Sequence, residues 1–176
     1  MTDDYFQTYI ELDSKTIHFE EYYITRPEGK IKNIIYKGKD KAKPSDEFLN
    51  ALDISDWIII PSSNPLVSIG TILSIKGIKK IIREKKVIGI SPLIQGRAIK
   101  GPLVELMKSL DYEANSFGVA KYYEGLLDIF IIDAMESDLA ERIRRELGME
   151  VFTTDTLMKT RKDRARLSKF VLNRMD

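Results

Sequence analysis

The sequence predicts an α/β protein: a Rossmann-like parallel sheet with flanking helices, preceded by a small N-terminal β meander. Residues 1–44 are rich in β-branched and aromatic side chains broken by turn signals, which is typical of short strands. From residue 45 onward, short continuous apolar runs alternate with stretches of helical periodicity. Such runs between helices are typical of parallel strands buried on both faces. We therefore expect a β-rich segment, 1–44, packed on an α/β domain, 45–176.

The elements follow from these patterns in chain order. Ser45 is placed to cap a short helix, and Ser137 and Gly148 are placed as the N-cap and C-cap of a later one. Four parallel strands are few for a sheet of this kind, so the sheet is predicted to be incomplete. The predicted strands are 8–12, 16–25, 31–36, 57–60, 87–90, 129–132 and 151–153, and the predicted helices are 46–52, 69–84, 102–110, 117–126, 137–147 and 161–174.

Composition and charge exclude several classes of protein. The 176 residues carry 28 basic and 27 acidic side chains, a formal net charge of +1, so no global field draws the chain to nucleic acid or to an anionic membrane. The chain has no cysteine, which excludes disulfides and thiolate metal sites. No apolar run approaches the roughly 20 residues that span a bilayer. The opening MTDDYFQTYI is acidic, unlike a secretory signal, and we expect a cytoplasmic protein.

The stretch PSSNPLVSIGTIL places hydroxyl and amide groups directly after the predicted strand 57–60. In open α/β sheets, ligands bind outside the carboxyl ends of the strands. A plain turn and helix cap, built from the same residue types, is the alternative interpretation. The candidate substrate-binding residues of this turn are Ser63, Asn64, Pro65 and Ser68.

A second loop, SPLIQGRAIKGP, follows the predicted strand 87–90. Its glycines allow close backbone approach and its two cations could neutralise an anion, so it is a plausible phosphate loop. The cations could equally face solvent. Its candidate substrate-binding residues are Ser91, Gly96, Lys100 and Gly101, with Arg97 as a weaker candidate.

Asp133, at the end of the strand 129–132, is a further weak candidate, with a helix cap as the alternative interpretation. The sequence contains no GxGxxG or GxxxxGK[ST] loop, no HExxH pair and no Ser/His/Asp set. We therefore assign no catalytic residue and no metal ligand from the residues alone.

Four motifs in fixed order resemble the 2-phospho-L-lactate transferase family of coenzyme F-420 biosynthesis. They are PSSNPLVSIGTIL, VIGISPLIQGRAIKGP, FGVAKYYEGLLDIFIIDAMESD and TTDTLM, and the upstream segments MTDDYFQTYIEL and FEEYYITR extend the resemblance over nearly the whole chain. The family's chains also carry a glycine-rich N-terminal half, which has no counterpart here, so this chain resembles their C-terminal portion. Family members generally have glycine near position 95 and a small or apolar residue near position 97, so Gln95 and Arg97 depart from the pattern.

The resemblance implies a magnesium-dependent transfer of a phospholactyl or phosphoenolpyruvyl group from a guanosine diphosphate conjugate to the hydroxyl of a deazaflavin, with release of GMP. It implies that the magnesium ligands lie in the N-terminal half. The expected partners are these two substrates, with either a homodimer or association with the N-terminal half, and no nucleic acid or membrane. A nucleotide or nucleotide-sugar binding regulator of the related gluconeogenesis factor family, or a non-catalytic remnant, is the alternative.

Overall fold

The N-terminal residues form a small antiparallel sheet, as predicted. The computed structural model describes residues 1–98 and 101–175. Strand β1 (Gln7–Leu12) lies between β2 (Thr16–His18) and β3 (Ile31–Lys37), and both pairings are antiparallel. Alternate residues of β1 are buried, so one face of this sheet packs on the core.

The predicted strand 16–25 is wrong from residue 19 onward, because helix α1 (Phe19–Thr25) takes its place. His18 Nδ1 accepts a hydrogen bond from the Glu20 N–H at 3.3 Å, and two glutamates lie in the first turn. An acceptor at the N-cap and acidic residues in the first turn both favour a helix start. The aromatic residues suggested a strand, but on the helix they bury Tyr22, which is only 1% exposed.

The main sheet consists of four parallel strands in the order β4-β5-β8-β9. These strands agree with the predicted ones to within one residue at each end, and a short hairpin that the sequence did not predict lies between the second and the third. The strands are β4 (Trp57–Ile60), β5 (Lys86–Ile90), the hairpin strands β6 (Leu93–Ile94) and β7 (Arg97–Ala98), β8 (Ile129–Asp133) and β9 (Glu150–Thr154).

Helices connect successive strands of the main sheet. Three predictions here were wrong. The helix predicted at 117–126 ends at Tyr122, and residues 123–126 form a turn. The single helix 69–84 is divided: one helix ends at Leu73, and a second begins after Gly77, whose φ of +89° is not that of a right-handed helix. Ser137 is not an N-cap, since Asp133 caps a 3₁₀-helix (Ala134–Leu139) that precedes the α-helix, whereas Gly148 is the C-cap as predicted, with a φ of +69°. The helices are α2 (Asp46–Ile54), a π-helical turn (Pro65–Ile69) leading into α3 (Gly70–Leu73), α4 (Ile78–Arg83), α5 (Leu103–Ser109), α6 (Ser116–Tyr122), α7 (Ala140–Leu147) and α8 (Arg161–Leu172).

Both faces of the main sheet are covered. On one face, Val87, Phe130 and Val151 pack with α4, α6 and α7 in a large core that also contains residues of the N-terminal sheet. On the other face, Ile88 and Ile131 pack against α8. Burying each such side chain contributes roughly 1.5–3 kcal/mol. The division of the chain at residue 44 stays a prediction, and the two parts share this core.

The β4 edge of the main sheet is unpaired and partly exposed; at the opposite edge, β9 likewise pairs with β8 alone among the described strands. Among the described strands, β4 pairs with β5 alone, and Ile59 at this edge is 43% exposed. Apolar grooves of about 370 Å³ each flank the strand, one bordered by Phe48, Leu52 and Ile72 and the other by Ile90, Leu167 and Leu172. We call Ile58, Ile59 and Ile60 with these two grooves the β4 edge surface.

The hairpin β6–β7 turns through two residues with positive φ, Gln95 at +49° and Gly96 at +66°. A two-residue turn of this kind favours Asn-Gly, because asparagine tolerates a positive φ better than glutamine does.

The Gln95→Asn variant is therefore expected to raise the free energy of unfolding by about 0.5–1 kcal/mol. Urea denaturation followed by circular dichroism measures this difference. Unchanged or lower stability would contradict the turn geometry.

Candidate active site

A cleft of about 330 Å³ opens at the carboxyl edge of the main sheet, where the segments after β4, β5 and β9 meet. This is the edge at which open α/β folds bind ligands. Neutral polar groups and apolar side chains share its lining. The lining residues are Ser62, Asn64, Ser91, Pro92, Ile94, Ala98, Leu103, Thr156 and Met158.

Asn64 both builds the turn after β4 and faces the cleft. Its Oδ1 accepts hydrogen bonds from the Leu66 N–H at 2.9 Å and the Val67 N–H at 3.3 Å, which caps the π-helical turn. Its backbone oxygen accepts from both Ser68 and Ile69, so the first turn is wider than an α-helical one. Because the side-chain oxygen is occupied and the amide NH₂ has no acceptor among the described residues, the NH₂ group is available as a donor to a ligand.

The N-terminal sheet and α6 hold this turn in place. Tyr36 of β3 donates its hydroxyl to the Leu66 carbonyl, and Thr8 of β1 lies 2.9 Å from the hydroxyl of Thr71. A Cβ on Gly70 would lie 2.5 Å from Tyr36 Oη and 2.6 Å from Tyr122 Oη, so only glycine fits beneath these hydroxyls. Burial raises the pKa of both phenols, which keeps them neutral. The β-rich segment therefore positions the turn that lines the cleft.

Ser91 stands at the end of β5 and is buried at the base of the cleft. Its Oγ accepts the Leu93 N–H at 3.2 Å and lies 2.7 Å from Ser116 Oγ. Ser116 in turn donates to Glu136, a buried carboxylate on the 3₁₀-helix. Neither Ser116 nor Glu136 was predicted as part of a site. Ser116 lies 25 positions after Ser91 in the sequence, and Glu136 lies 20 positions after Ser116, so no local sequence pattern indicates these contacts.

Asp133 acts as a structural cap that places Thr156 in the cleft. Its Oδ1 accepts the Met135 N–H at 3.0 Å, and its Oδ2 accepts both the N–H and the hydroxyl of Thr156 at 2.8 and 2.9 Å. The carboxylate is 3% exposed, so its donors leave it little access to a ligand. With its own proton given to Asp133, the Thr156 hydroxyl can act only as an acceptor toward the cleft.

The structure does not bring all of the predicted site residues together. Asn64 and Ser91 line the cleft, together with Ser62, whereas Ser63 and Ser68 line a groove of the β4 edge surface. Pro65 is buried at the first position of the π-helical turn, and Gly96 lies in the hairpin turn. Arg97 is exposed, Gly101 adopts a φ of +79° beside Tyr23, and Lys100 lies outside the described residues. The roles predicted for all of these residues stay predictions.

The described residues do not fit a magnesium site. Mg²⁺ takes oxygen ligands and is usually held by carboxylates and phosphates. Within residues 1–98 and 101–175, no three His, Cys, Asp or Glu side chains are grouped to hold a metal ion, and Asp133 and Glu136 are occupied by internal donors. We therefore derive no step through a metal.

Comparison with known proteins places the chain in a family. The family model for the 2-phospho-L-lactate transferase CofD matches residues 1–171. The chain belongs to the 2-phospho-L-lactate transferase family. Three relatives, all named 2-phospho-L-lactate transferase, are similar to nearly the whole chain: those of Methanocaldococcus jannaschii (35% identity, 98% of this chain), Methanosarcina barkeri (36%, 100%) and Methanopyrus kandleri (38%, 98%).

The chain spans 55–57% of the length of these transferases. That share agrees with the prediction that it corresponds to the C-terminal portion of the family's chain. A crystal structure of a UPF0052 family protein from Bacillus halodurans has the same fold, with a TM-score of 0.67, 15% identity and coverage of 97% of this chain and 59% of that one. In the part of this family member that the structure describes, no helix has the length and apolarity to cross a membrane.

Proposed function

We propose that this chain forms the acceptor-binding portion of a transferase in coenzyme F-420 biosynthesis, and that the cleft holds the deazaflavin whose hydroxyl is the acceptor. In the reaction, a bond forms between that hydroxyl oxygen and the phosphorus of a phospholactyl or phosphoenolpyruvyl group. The bond between that phosphorus and the bridging oxygen of GMP, in a guanosine diphosphate conjugate, breaks; GMP leaves with the bonding electron pair, and the proton of the hydroxyl is released. Family membership supports the transferase class, and the chemistry of the cleft supports the assignment of the acceptor.

The observation that carries this assignment is the neutrality of the cleft. All of its described lining side chains are uncharged. A guanosine diphosphate conjugate requires cations, metal or several backbone donors around its phosphates, whereas an uncharged ring needs apolar walls and a few oriented hydrogen bonds. Pro92, Ile94, Leu103 and Met158 provide such walls.

The polar groups of the cleft supply both donors and acceptors. The Asn64 amide is free to donate, and the Thr156 hydroxyl is left as an acceptor by its bonds to Asp133. A deazaflavin carries ring carbonyls, a ring N–H and hydroxyls, so it can satisfy both kinds of group. A phosphate oxygen could satisfy only the donors.

The donor conjugate and magnesium are assigned to the part of the family's chain that this one does not match. Most of the charge stabilisation of phosphoryl transfer comes from metal ions and cations, and the described residues group no such side chains at the cleft. This chain by itself is therefore expected to bind the acceptor and to be inactive. The predicted cytoplasmic location is retained as part of the proposal.

Isothermal titration of the chain with the deazaflavin, and separately with GDP and Mg²⁺, tests the proposal. We expect saturable deazaflavin binding and much weaker binding of GDP. Saturable GDP binding without deazaflavin binding, by a folded chain, would overturn the proposal in favour of a nucleotide-binding regulator.

We further propose that the β4 edge surface binds the portion of a family member that this chain does not match. An unpaired strand presents free N–H and C=O groups to a further strand. The apolar grooves on both sides of β4 suit the side chains of that strand and of an element covering it. The relatives' remaining length supplies an occupant of this kind.

The Ile59→Lys variant is expected to weaken this association at least tenfold, because it places a charge in the apolar contact. The measurement is analytical ultracentrifugation of the chain mixed with the complementary portion of the M. jannaschii relative. Ile54→Lys is the matched control, since Ile54 is 83% exposed and lines neither groove. Equal binding by both variants, or a homodimer formed through β4 in place of the complex, would contradict the proposal.

A further inference from the structure

Residues 155–159 connect β9 to α8, and alternate side chains of this connection face two different cavities. Thr156 and Met158 line the cleft, whereas Asp155 and Leu157 line a separate depression of about 160 Å³. We call residues 155–159 the β9–α8 segment. The path of its backbone determines how Thr156 and Met158 are presented to the cleft.

Aspartates fix the β9–α8 segment near both of its ends. Asp133 accepts the N–H and the hydroxyl of Thr156 at 2.8 and 2.9 Å. Asp163, in the first turn of α8, accepts the Lys159 N–H at 3.1 Å. The peptide group that precedes Met158 lies between these two anchors and is bonded to neither aspartate.

Arg166 of α8 holds this middle peptide group. Its Nη2 donates to the Leu157 carbonyl at 3.2 Å, and its Nη1 donates to the Asp155 carbonyl at 2.5 Å. Its Nη2 also lies 2.9 Å from the Asp155 carboxylate. The planar fork of a guanidinium suits binding to two acceptors at once. Because the Leu157 carbonyl belongs to the peptide bond that leads to Met158, Arg166 fixes the backbone from which Met158 projects.

Packing by itself gives Met158 little support. Its residue is 40% exposed, and it lines both the cleft and one groove of the β4 edge surface. A long, flexible side chain loses conformational freedom when it is ordered against a ligand, and that loss weakens binding. A backbone that is already fixed at this position reduces the loss, so the clamp by Arg166 favours binding in the cleft.

We propose that Arg166 is a positioning residue of the acceptor site: by holding the Leu157 carbonyl, it places Met158 as an apolar wall against which the ring of the deazaflavin packs. Methionine makes favourable contacts with aromatic rings through its thioether. The ion pair with Asp155 orients the guanidinium, and the two carbonyl bonds carry the effect. This inference rests on the proposed function of the cleft and adds a residue from outside the lining of the cleft.

A double-mutant cycle of Arg166 and Met158, measured by isothermal titration with the deazaflavin, tests the inference. Arg166→Ala is expected to weaken binding about three- to tenfold, and Met158→Ala about tenfold. Because Arg166 acts through Met158, adding Arg166→Ala to Met158→Ala is expected to weaken binding by less than about twofold more. A further loss of about three- to tenfold in the Met158→Ala background would overturn the inference, since a merely structural role acts equally in both backgrounds.

The Arg166→Lys variant separates the two carbonyl bonds from the charge. A lysine ammonium can keep the ion pair with Asp155, but it lacks the planar fork, so binding is expected to weaken about as much as in Arg166→Ala. Arg164→Ala is the matched control and is expected to bind normally, because Arg164 is an exposed arginine of the same helix that does not line the cleft. Full affinity in Arg166→Lys, or an equal loss in Arg164→Ala, would overturn the inference.

A measurement without ligand separates this inference from the proposed function. In ¹⁵N relaxation of the unliganded chain, Arg166→Ala is expected to increase the fast motion of the Leu157 and Met158 amides and to leave Thr156, which Asp133 holds, unchanged. Unchanged motion at Leu157 and Met158 would overturn the inference and leave the proposed function standing. Absence of deazaflavin binding by the folded, unaltered chain would overturn the proposed function, and the inference with it.

Discussion

The Gly118→Ala variant is expected to lose about 3 kcal/mol or more of its free energy of unfolding. Gly118 lies in the first turn of α6, and a Cβ at this position would overlap the Glu113 carbonyl oxygen and lie 2.8 Å from its carbonyl carbon. The neighbour is backbone rather than a flexible side chain, so relief requires the 113–115 segment to move. That movement disrupts the cap in which Asn115 Oδ1 accepts the Gly118 N–H at 3.0 Å, as well as the pairing of Glu113 with Arg142 at 2.7 Å. Overpacking of this kind is among the few changes with effects of this size.

Chemical denaturation gives the free energy of unfolding of Gly118→Ala and of the control variant Gly125→Ala. A larger loss in Gly118→Ala than in Gly125→Ala measures the cost of the steric overlap. Gly125 has a φ of +69°, but a Cβ there would meet nothing within 4 Å, so its substitution carries only the backbone cost of about 1–2 kcal/mol. A loss in Gly118→Ala no larger than that in Gly125→Ala would contradict the close approach of the 113–115 backbone to α6.

The Asn64→Asp variant is expected to lose at least tenfold in deazaflavin affinity and to keep its stability within about 0.5 kcal/mol. A carboxylate oxygen can accept the Leu66 and Val67 N–H groups as the amide oxygen does, so the cap of the π-helical turn is retained. The NH₂ donor that faces the cleft is replaced by an acceptor, which repels the ring oxygen that it would otherwise bind. Isothermal titration and urea denaturation of the same preparation give both quantities.

Asn64→Ala is the matched control for the cap. It removes both the donor and the capping oxygen, so it should lose affinity and, in addition, about 1 kcal/mol of stability. If Asn64→Asp binds the deazaflavin as tightly as the unaltered chain, then the amide does not contact the ligand and the placement of the acceptor beside it is wrong.

The sequence predicted the main sheet well because its strands are continuous apolar runs with clear ends. Trp57–Ile60 is one such run, with a proline directly after it. The hairpin turn was missed, since Gln95-Gly96 lacks the Asn-Gly or Asp-Gly signature of such turns. The helix Phe19–Thr25 was missed because paired aromatic residues are typical of strands. In addition, its N-cap is His18, and histidine is not among the residue types that usually indicate a helix start.

The location of the cleft was predictable from topology, but its detailed lining was not. The rule that ligands bind at the carboxyl ends of parallel strands brought Asn64 and Ser91 to the same edge. Ser62 lines the cleft, whereas its neighbour Ser63 lines a groove of the β4 edge surface. Successive side chains of a strand point to opposite faces, and this alternation continues into the turn after β4. The contact of Glu136 with Ser116 depends on the packing of the 3₁₀-helix against α6, which local sequence does not encode.

The most direct measurement is a titration of the ¹⁵N-labelled chain with the deazaflavin, followed by amide chemical shifts in ¹H–¹⁵N spectra. We expect saturable shifts concentrated at Asn64, Ser91 and Thr156, with the amides of Ile59 and Ser68 at the β4 edge surface unchanged. Shifts confined to the β4 edge surface, or none at a saturating concentration, would contradict the assignment of the cleft to the acceptor.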